Sequence, residues 1–169
     1  MRRREFLIRS ATAAGAAWLS SKSILSTLAN TTLPARFTAS DTVTLGSTGI
    51  QTSRLAMGTG TIGGGGGSNQ TRLGTNPFVT MMLDGYHENG LRFFDTADSY
   101  GSHPYVAAAI KQLPRDKVTV LTKSWARDAA GMRADLDRFR RELGIDHIDV
   151  CLMHCVTESD WTTDRKSVV

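Results

Sequence analysis

The hydrophobic positions of the chain form short apolar runs that alternate with segments of helical spacing. The runs at 54–58, 91–95, 118–123 and 148–155 are largely apolar on both faces, as expected for buried parallel strands. Between them, apolar residues recur every three or four positions, which predicts helices. The predicted inward stripes are Phe78, Met82, Gly85 and Tyr86; Val106, Ala109, Ile110 and Leu113; and Met132, Leu136, Phe139 and Leu143. This alternation predicts an α/β fold with a parallel sheet and right-handed crossovers.

Two further patterns surround the first of these strands. Upstream, Thr42–Leu45 and Gly49–Thr52 flank a short Gly-Ser-Thr turn, which predicts a β-hairpin. Downstream, the glycine run Gly63–Gly67 lacks the lysine of a P-loop, and a run of glycines matches dinucleotide patterns by chance. We interpret it as a flexible loop, with a lid that closes over a site as the alternative.

The first 30 residues are set apart from the fold. A basic head precedes a weakly apolar run, Ala11–Leu19, which is shorter than the about 20 apolar residues that a membrane span needs. The sequence from Arg3 to Leu7 resembles the twin-arginine export signal, and Ala29 is a candidate cleavage position. We therefore expect a signal segment at 1–30, a linker at 31–40 and export to the periplasm or beyond. The alternative is an uncleaved N-terminus on a cytoplasmic protein.

Charge and cysteine content narrow the function classes. Residues 1–29 hold five of the 20 basic and one of the 16 acidic residues, so the remainder carries 15 of each. This neutral balance gives no support to nucleic-acid binding and leaves membrane contact to the export signal alone.

The two cysteines, Cys151 and Cys155, lie four apart in a predicted strand. They are then roughly 13 Å apart, too far for a disulfide, and we expect two buried thiols.

Polar groups follow three successive predicted strands. Asp95 ends the second strand, Lys123 the third and His154 the fourth, while Tyr100 lies five residues beyond Asp95. Because parallel strands end at one edge of a sheet, we expect these side chains to lie together. Taken singly, Tyr100 also fits an exposed capped loop and His154 a satisfied core histidine. Strand alternation puts His154 on the face opposite the cysteines, so we expect no metal site.

The four side chains suit acid catalysis on a carbonyl. The pKa of a free tyrosine is about 10, and a neighbouring cation favours the phenolate. Lys123 is the candidate cation, and Asp95 is placed to hold it by an ion pair. Tyr100 and His154 would then polarise a carbonyl oxygen. No side chain donates a hydride, so reduction would require a nicotinamide cofactor.

At these positions the chain resembles the aldo-keto reductases. The segment Asp95–Gly101 resembles the family's active-site segment, Leu121–Lys123 its lysine strand and Asp149–His154 its histidine strand. Residues Leu45–Ile50 and Arg54–Gly60 are similar to its N-terminal hairpin and first strand. The resemblance extends over roughly 43–169.

The resemblance implies a (β/α)8 TIM barrel and NADP(H)-dependent reduction of a small aldehyde or ketone to an alcohol. Tyr100 would donate the proton, and Lys123 and Asp95 would tune the pKa of its hydroxyl. His154 would orient the carbonyl. We expect Gly58, Thr59 and Asp95 to contact the cofactor.

The length of the chain separates two hypotheses. Such a barrel needs about 250 residues, whereas the chain has 169 and only four predicted barrel strands, in a domain at 41–169. We expect the N-terminal half of an enzyme, present as a fragment. The alternative is an inactive or partner-dependent half-barrel. Trp125 and Trp161 are the large candidates for the substrate pocket.

Overall fold

The computed structural model describes residues 36–157, within which a compact unit begins at Thr38. The predicted signal segment, the first half of the predicted linker and Trp161 lie outside the described residues. No helix within 36–157 is long and apolar enough to cross a membrane.

A β-hairpin opens this unit. Strands β1 (Thr42–Thr44) and β2 (Gln51–Ser53) pair in antiparallel register, with Thr42 opposite Ser53. In the turn, Thr48 donates its hydroxyl to the carbonyl of Leu45 at 2.7 Å. The hairpin predicted from the sequence is confirmed.

A parallel sheet follows, with helices in its crossovers. The strands are β3 (Ala56–Gly58), β4 (Phe93–Asp95), β5 (Thr119–Ser124) and β6 (Val150–Met153). The helices are α1 (Thr75–His87), α2 (His103–Ile110) and α3 (Ala129–Leu143). The strand order is β3-β4-β5-β6 and every pair is parallel, which confirms the predicted α/β topology.

The core lies between the sheet and the three helices. Phe94 and Val120 face it from the sheet, and Phe78 and Phe139 face it from α1 and α3, all fully buried. The predicted helix stripes supply most of its remaining side chains, because their spacing puts them on one face of each helix. One side of the sheet is thereby fixed against helices, and the strand ends are held in register.

The last strand is shorter than predicted. Strand β6 ends at Met153, and Cys155 adopts a φ of +50°, which is outside the extended region. Cys155 is consequently exposed, so the expectation of two buried thiols is wrong for this residue. Cys151 is partly buried, and burial raises the pKa of its thiol to about 11. Both cysteines are free, as the strand spacing predicts.

Candidate active site

The four candidate catalytic residues lie at one edge of the parallel sheet. Asp95 is the last residue of β4, Lys123 the next to last of β5, and His154 directly follows β6. Tyr100 ends a 3-10 turn, Asp98–Tyr100, that follows β4. The parallel register brings these strand ends together, as expected for groups at the C-terminal ends of parallel strands.

Asp95 and Lys123 form the expected ion pair. The Lys123 ammonium donates to Asp95 Oδ1 and also to the carbonyl of Thr96 at 2.9 Å. Only 16% of the lysine side chain is exposed, so the pair is partly shielded from solvent. Two acceptors therefore fix the ammonium at the centre of the site.

Tyr100 lies beside this cation without a hydrogen bond to it. The Lys123 nitrogen is 5.0 Å from the centroid of the Tyr100 ring, over the ring. The imidazole of His154 meets the same ring edge-on, with the centroids 5.6 Å apart. Within residues 36–157, the Tyr100 hydroxyl has no hydrogen-bond partner. The cation therefore acts on the phenol through the face of the ring rather than through a hydrogen bond to the hydroxyl.

His154 is buried and held at its main chain. Its N–H donates to the carbonyl of Ser124 at 2.8 Å, and its carbonyl accepts from the Arg127 guanidinium at 2.7 Å. The ring packs against Trp125 with centroids 4.7 Å apart, and Nδ1 lies 3.4 Å from the Ser99 hydroxyl. Such a ring can present its other nitrogen to a ligand.

The surroundings of His154 favour the neutral imidazole. Burial lowers its pKa most, and the positive charges of Lys123 and Arg127 lower it further, against smaller opposite effects of Asp95 and Asp98. A neutral imidazole has one donor nitrogen and one acceptor nitrogen. It can therefore donate a hydrogen bond to a carbonyl oxygen at neutral pH without carrying a charge.

The residues predicted to contact a cofactor differ in their accessibility. Thr59 is buried, its hydroxyl donates to the Asp95 carbonyl at 2.9 Å, and the same hydroxyl pairs with Ser102 Oγ at 2.8 Å. These bonds tie the end of β3 to β4 and to the start of α2, so the Thr59 hydroxyl serves the fold. Gly58 is exposed, and a Cβ built on it would meet nothing within 4 Å. Gly58 therefore has open space beside it, and it pairs in register with Asp95 at the end of the neighbouring strand.

The glycine-rich loop differs from the flexible segment that the sequence predicts. Gly66 donates its N–H to the carbonyl of Ser99 at 2.9 Å, and the buried Ser68 hydroxyl donates to the Thr59 carbonyl at 2.8 Å. The Gln70 side chain accepts from the Thr61 N–H and donates to the Thr61 hydroxyl. The loop is thus fastened at its base and to the turn that carries Tyr100.

Sequence reasoning missed an ionic network behind that turn. Arg138 of α3 binds both oxygens of Asp98, at 2.8 and 2.9 Å, and also contacts Asp135 and Glu142 at 2.9 Å. Glu142 in turn pairs with the buried imidazole of His103 at 2.6 Å. The sequence shows acidic residues spaced around Arg138 on one helix face, which indicates ion pairs along the helix. It gives no sign of the bond to Asp98, which lies 40 residues away in the chain.

Within residues 36–157, no group of three His, Cys, Asp or Glu side chains could hold a metal ion.

Comparison with known proteins places this site in a family. The aldo/keto reductase family model matches residues 54–162. The NADH-specific methylglyoxal reductase of Escherichia coli is 31% identical over 135 residues, which are 66% of this chain and 41% of that protein. The glycerol 2-dehydrogenase (NADP(+)) of Saccharomyces cerevisiae is 36% identical over 78 residues, which are 45% of this chain and 23% of that protein.

Solved structures agree with the fold. The thermostable aldo-keto reductase Tm1743, in complex with the inhibitor epalrestat, has a TM-score of 0.56 and 25% identity. The match covers 68% of this chain and 42% of that one. The described sheet and helices are accordingly part of a (β/α)8 barrel. The chain spans less than half the length of the bacterial and yeast relatives.

Proposed function

Because the chain belongs to the aldo/keto reductase family, we propose that it is part of an NADP(H)-dependent oxidoreductase that reduces aldehyde or ketone carbonyls to alcohols. The observation that carries this proposal is the meeting of a phenol, an ammonium–carboxylate pair and a neutral imidazole at one sheet edge. These groups match the needs of carbonyl reduction, in which oxygen must be polarised and then protonated.

Each side chain has a distinct role in the proposed reaction. The neutral imidazole of His154 donates a hydrogen bond to the carbonyl oxygen and orients it. The Tyr100 hydroxyl gives its proton to that oxygen as negative charge develops there. The Lys123 ammonium, fixed by Asp95, stabilises the phenolate that remains. Bulk solvent then returns a proton to Tyr100.

A nicotinamide cofactor would be held by residues at the strand ends. When bound, it supplies the hydride that no side chain can donate. Gly58, with open space above it, and Asp95 are the residues proposed to contact it. We propose NADP(H) rather than NADH, and this choice is supported by the NADP(+) in the name of the yeast relative. The bacterial relative is NADH-specific, so binding of both cofactors should be compared directly.

The substrate is a small-molecule carbonyl compound. Trp125 has 48% of its surface exposed, and its indole packs against the His154 imidazole with the ring centroids 4.7 Å apart. Its flat indole favours substrates that carry an apolar group next to the carbonyl. The relative that is a methylglyoxal reductase supports a small dicarbonyl as the first compound to assay.

Replacement of Tyr100 by Phe tests the proposed proton donor. The Tyr100→Phe variant should lose turnover by about 10²- to 10⁴-fold, the usual contribution of a positioned general acid. Cofactor affinity should stay unchanged, because the ring is retained. The matched control is Tyr105→Phe, whose hydroxyl lies 3.5 Å from the Thr71 carbonyl, in contact with the loop before α1. Equal turnover in the two variants would reject the role of Tyr100.

A second proposal concerns location. The Arg3–Leu7 sequence, which lies outside the described residues, supports export by the twin-arginine route. Changing Arg3 and Arg4 together to Lys should retain the protein in the cytoplasm, since the route reads the arginine pair rather than its charge. Arg9→Lys is the control and should be exported normally. An unchanged distribution in the paired variant would contradict export by this route.

A further inference from the structure

The glycine-rich loop packs directly against the ring of Tyr100. A Cβ built on Gly60 would lie 2.2 Å from Tyr100 Cε2 and within 2.5 Å of Cζ, the carbon that bears the hydroxyl. A Cβ on Gly63 would lie 2.6 Å from Cδ1, at another edge of the ring. Ordinary contacts begin at about 3.4 Å, so no side chain fits at either position without displacing the ring or the loop.

The close approach, rather than the backbone conformation, requires glycine at position 60. Gly60 has no left-handed φ, and the three atoms nearest to its Cβ all belong to Tyr100. Gly64, in the same loop, also has no left-handed φ, and its Cβ would meet nothing within 4 Å. In what an added Cβ would meet, the two glycines therefore differ by the contact with the phenol ring.

The loop is anchored on both sides of this contact. Gly63 donates its N–H to the Gly60 carbonyl at 2.8 Å, and Gly66 donates to the Ser99 carbonyl at 2.9 Å. At the far side, a Cβ on Gly101 would lie 2.0 Å from the Gly66 carbonyl oxygen, so the loop and the Tyr100 turn touch again there. The loop therefore lines one side of the Tyr100 ring in this structure.

From this geometry we infer that Gly60 is a positioning residue for the proton donor, with Gly63 supporting it from the ring edge. The loop holds the Tyr100 ring against Lys123 and His154, and so sets where the hydroxyl meets the carbonyl oxygen. This inference rests on the proposed role of Tyr100 for its effect on turnover, but the packing itself can be measured without any reaction.

Fluorine NMR tests the packing. The chain has three tyrosines, so 3-fluorotyrosine labelling gives three resonances, and the Tyr100→Phe variant identifies that of Tyr100. Gly60→Ala should shift the Tyr100 resonance alone, whereas Gly64→Ala should leave all three in place. An unmoved Tyr100 resonance in Gly60→Ala, or an equal shift in Gly64→Ala, overturns the inference. Gly63→Ala provides a second variant with the same expected direction.

Kinetics of the full chain tests the consequence. A ring displaced by about 1 Å should lower kcat by about 10²-fold, because reacting groups tolerate little misplacement. Cofactor affinity and melting temperature should stay at the Gly64→Ala level. In a Tyr100→Phe background, Gly60→Ala should lower residual turnover no further, since both changes act through one hydroxyl. A further loss there overturns the positioning role. If Tyr100→Phe retains turnover, the proposed function fails while the resonance shift still decides the packing.

Discussion

His154 is kept neutral by where its ring lies. Burial lowers its pKa most, with Lys123 and Arg127 acting in the same direction. An NMR titration of the imidazole should therefore show a midpoint below about 6.5, the ordinary value for histidine. Lys123→Met should raise the midpoint, because it removes the positive charge with the larger effect. A midpoint at or above the ordinary value in the native protein would contradict this prediction.

The same shift predicts how stability depends on pH. Because the folded-state pKa of His154 is lower than its unfolded-state value, the unfolded chain binds the proton more readily. The contribution of His154 is thus fully present above about pH 6.5 and is lost as the pH falls toward the folded-state pKa. The free energy of unfolding should be measured for the native protein and for His154→Asn. The difference between the two values should shrink as the pH falls over that interval.

At the scale of single residues, the sequence predicted the positions of those side chains that strand register fixes. Asp95, Lys123 and His154 each end or follow a strand, and parallel pairing alone brings them to one edge. Contacts made by loops carried no such signal. The cation lies over the Tyr100 ring instead of at its hydroxyl, and Thr59 uses its hydroxyl inside the fold. Both depend on backbone paths that periodicity does not encode.

At the scale of elements, helix α3 braces the turn that carries Tyr100. Its Arg138 holds Asp98, in the same 3-10 turn as Tyr100, with two hydrogen bonds. Arg138→Gln should lower the free energy of unfolding by about 1 kcal/mol, a modest value because 38% of the arginine side chain is exposed. Turnover should fall as well, since the turn loses its anchor. Chemical denaturation and steady-state kinetics measure the two effects.

The control for this prediction is on the same helix. Arg140 forms an ion pair with Asp137, three residues earlier, as Arg138 does with Asp135. Because the side chains of Arg140 and Asp137 are both about half exposed, Arg140→Gln should change the free energy of unfolding by less than about 0.5 kcal/mol.

Arg138 holds the pKa of Asp98 below its usual range. The part of the Arg138 effect that Asp98 carries should therefore be full above about pH 4 and should be lost as Asp98 protonates in acid. Equal effects of the two variants at neutral pH would contradict the bracing role.

Element boundaries show where the sequence signal ends. The apolar stripe of α3 ends at Leu143, and Gly144 follows with a φ of +66°, a conformation in which helices commonly end at glycine. The glycine-rich loop was predicted to be flexible, whereas the structure shows it held by hydrogen bonds. Repeated glycine indicates conformational freedom in the unfolded chain, but it does not predict that an aromatic ring packs against the loop. Its fixed path comes from Ser68 and Gln70, which look like ordinary loop residues in the sequence.

At the scale of the whole molecule, the alternation of strands and helices predicted the parallel sheet, and the family accounts for its place in a barrel. Strand periodicity does not predict closure of the barrel, because closure depends on how many strands complete the ring. Within residues 36–157, the outer edges of β3 and β6 have no strand partner.

The face of this sheet opposite the helices, which is the inner face in a barrel, carries an exposed apolar side chain within residues 36–157. Leu152 pairs in register with Lys123, and 44% of its surface is exposed. Unpaired parallel edges and an exposed apolar face both favour association with further strands. The 169-residue chain, purified alone at micromolar concentration, should therefore sediment with a mass above the 18.3 kDa of one copy.

Analytical ultracentrifugation measures this mass, and Leu152→Glu provides the matched variant. A carboxylate on the inner face should shift the distribution toward a single copy if association occurs through that face, while an edge-to-edge assembly should persist. A discrete dimer that binds NADPH would support two copies sharing one site. A chain that sediments only at 18.3 kDa over the whole concentration range would contradict association altogether.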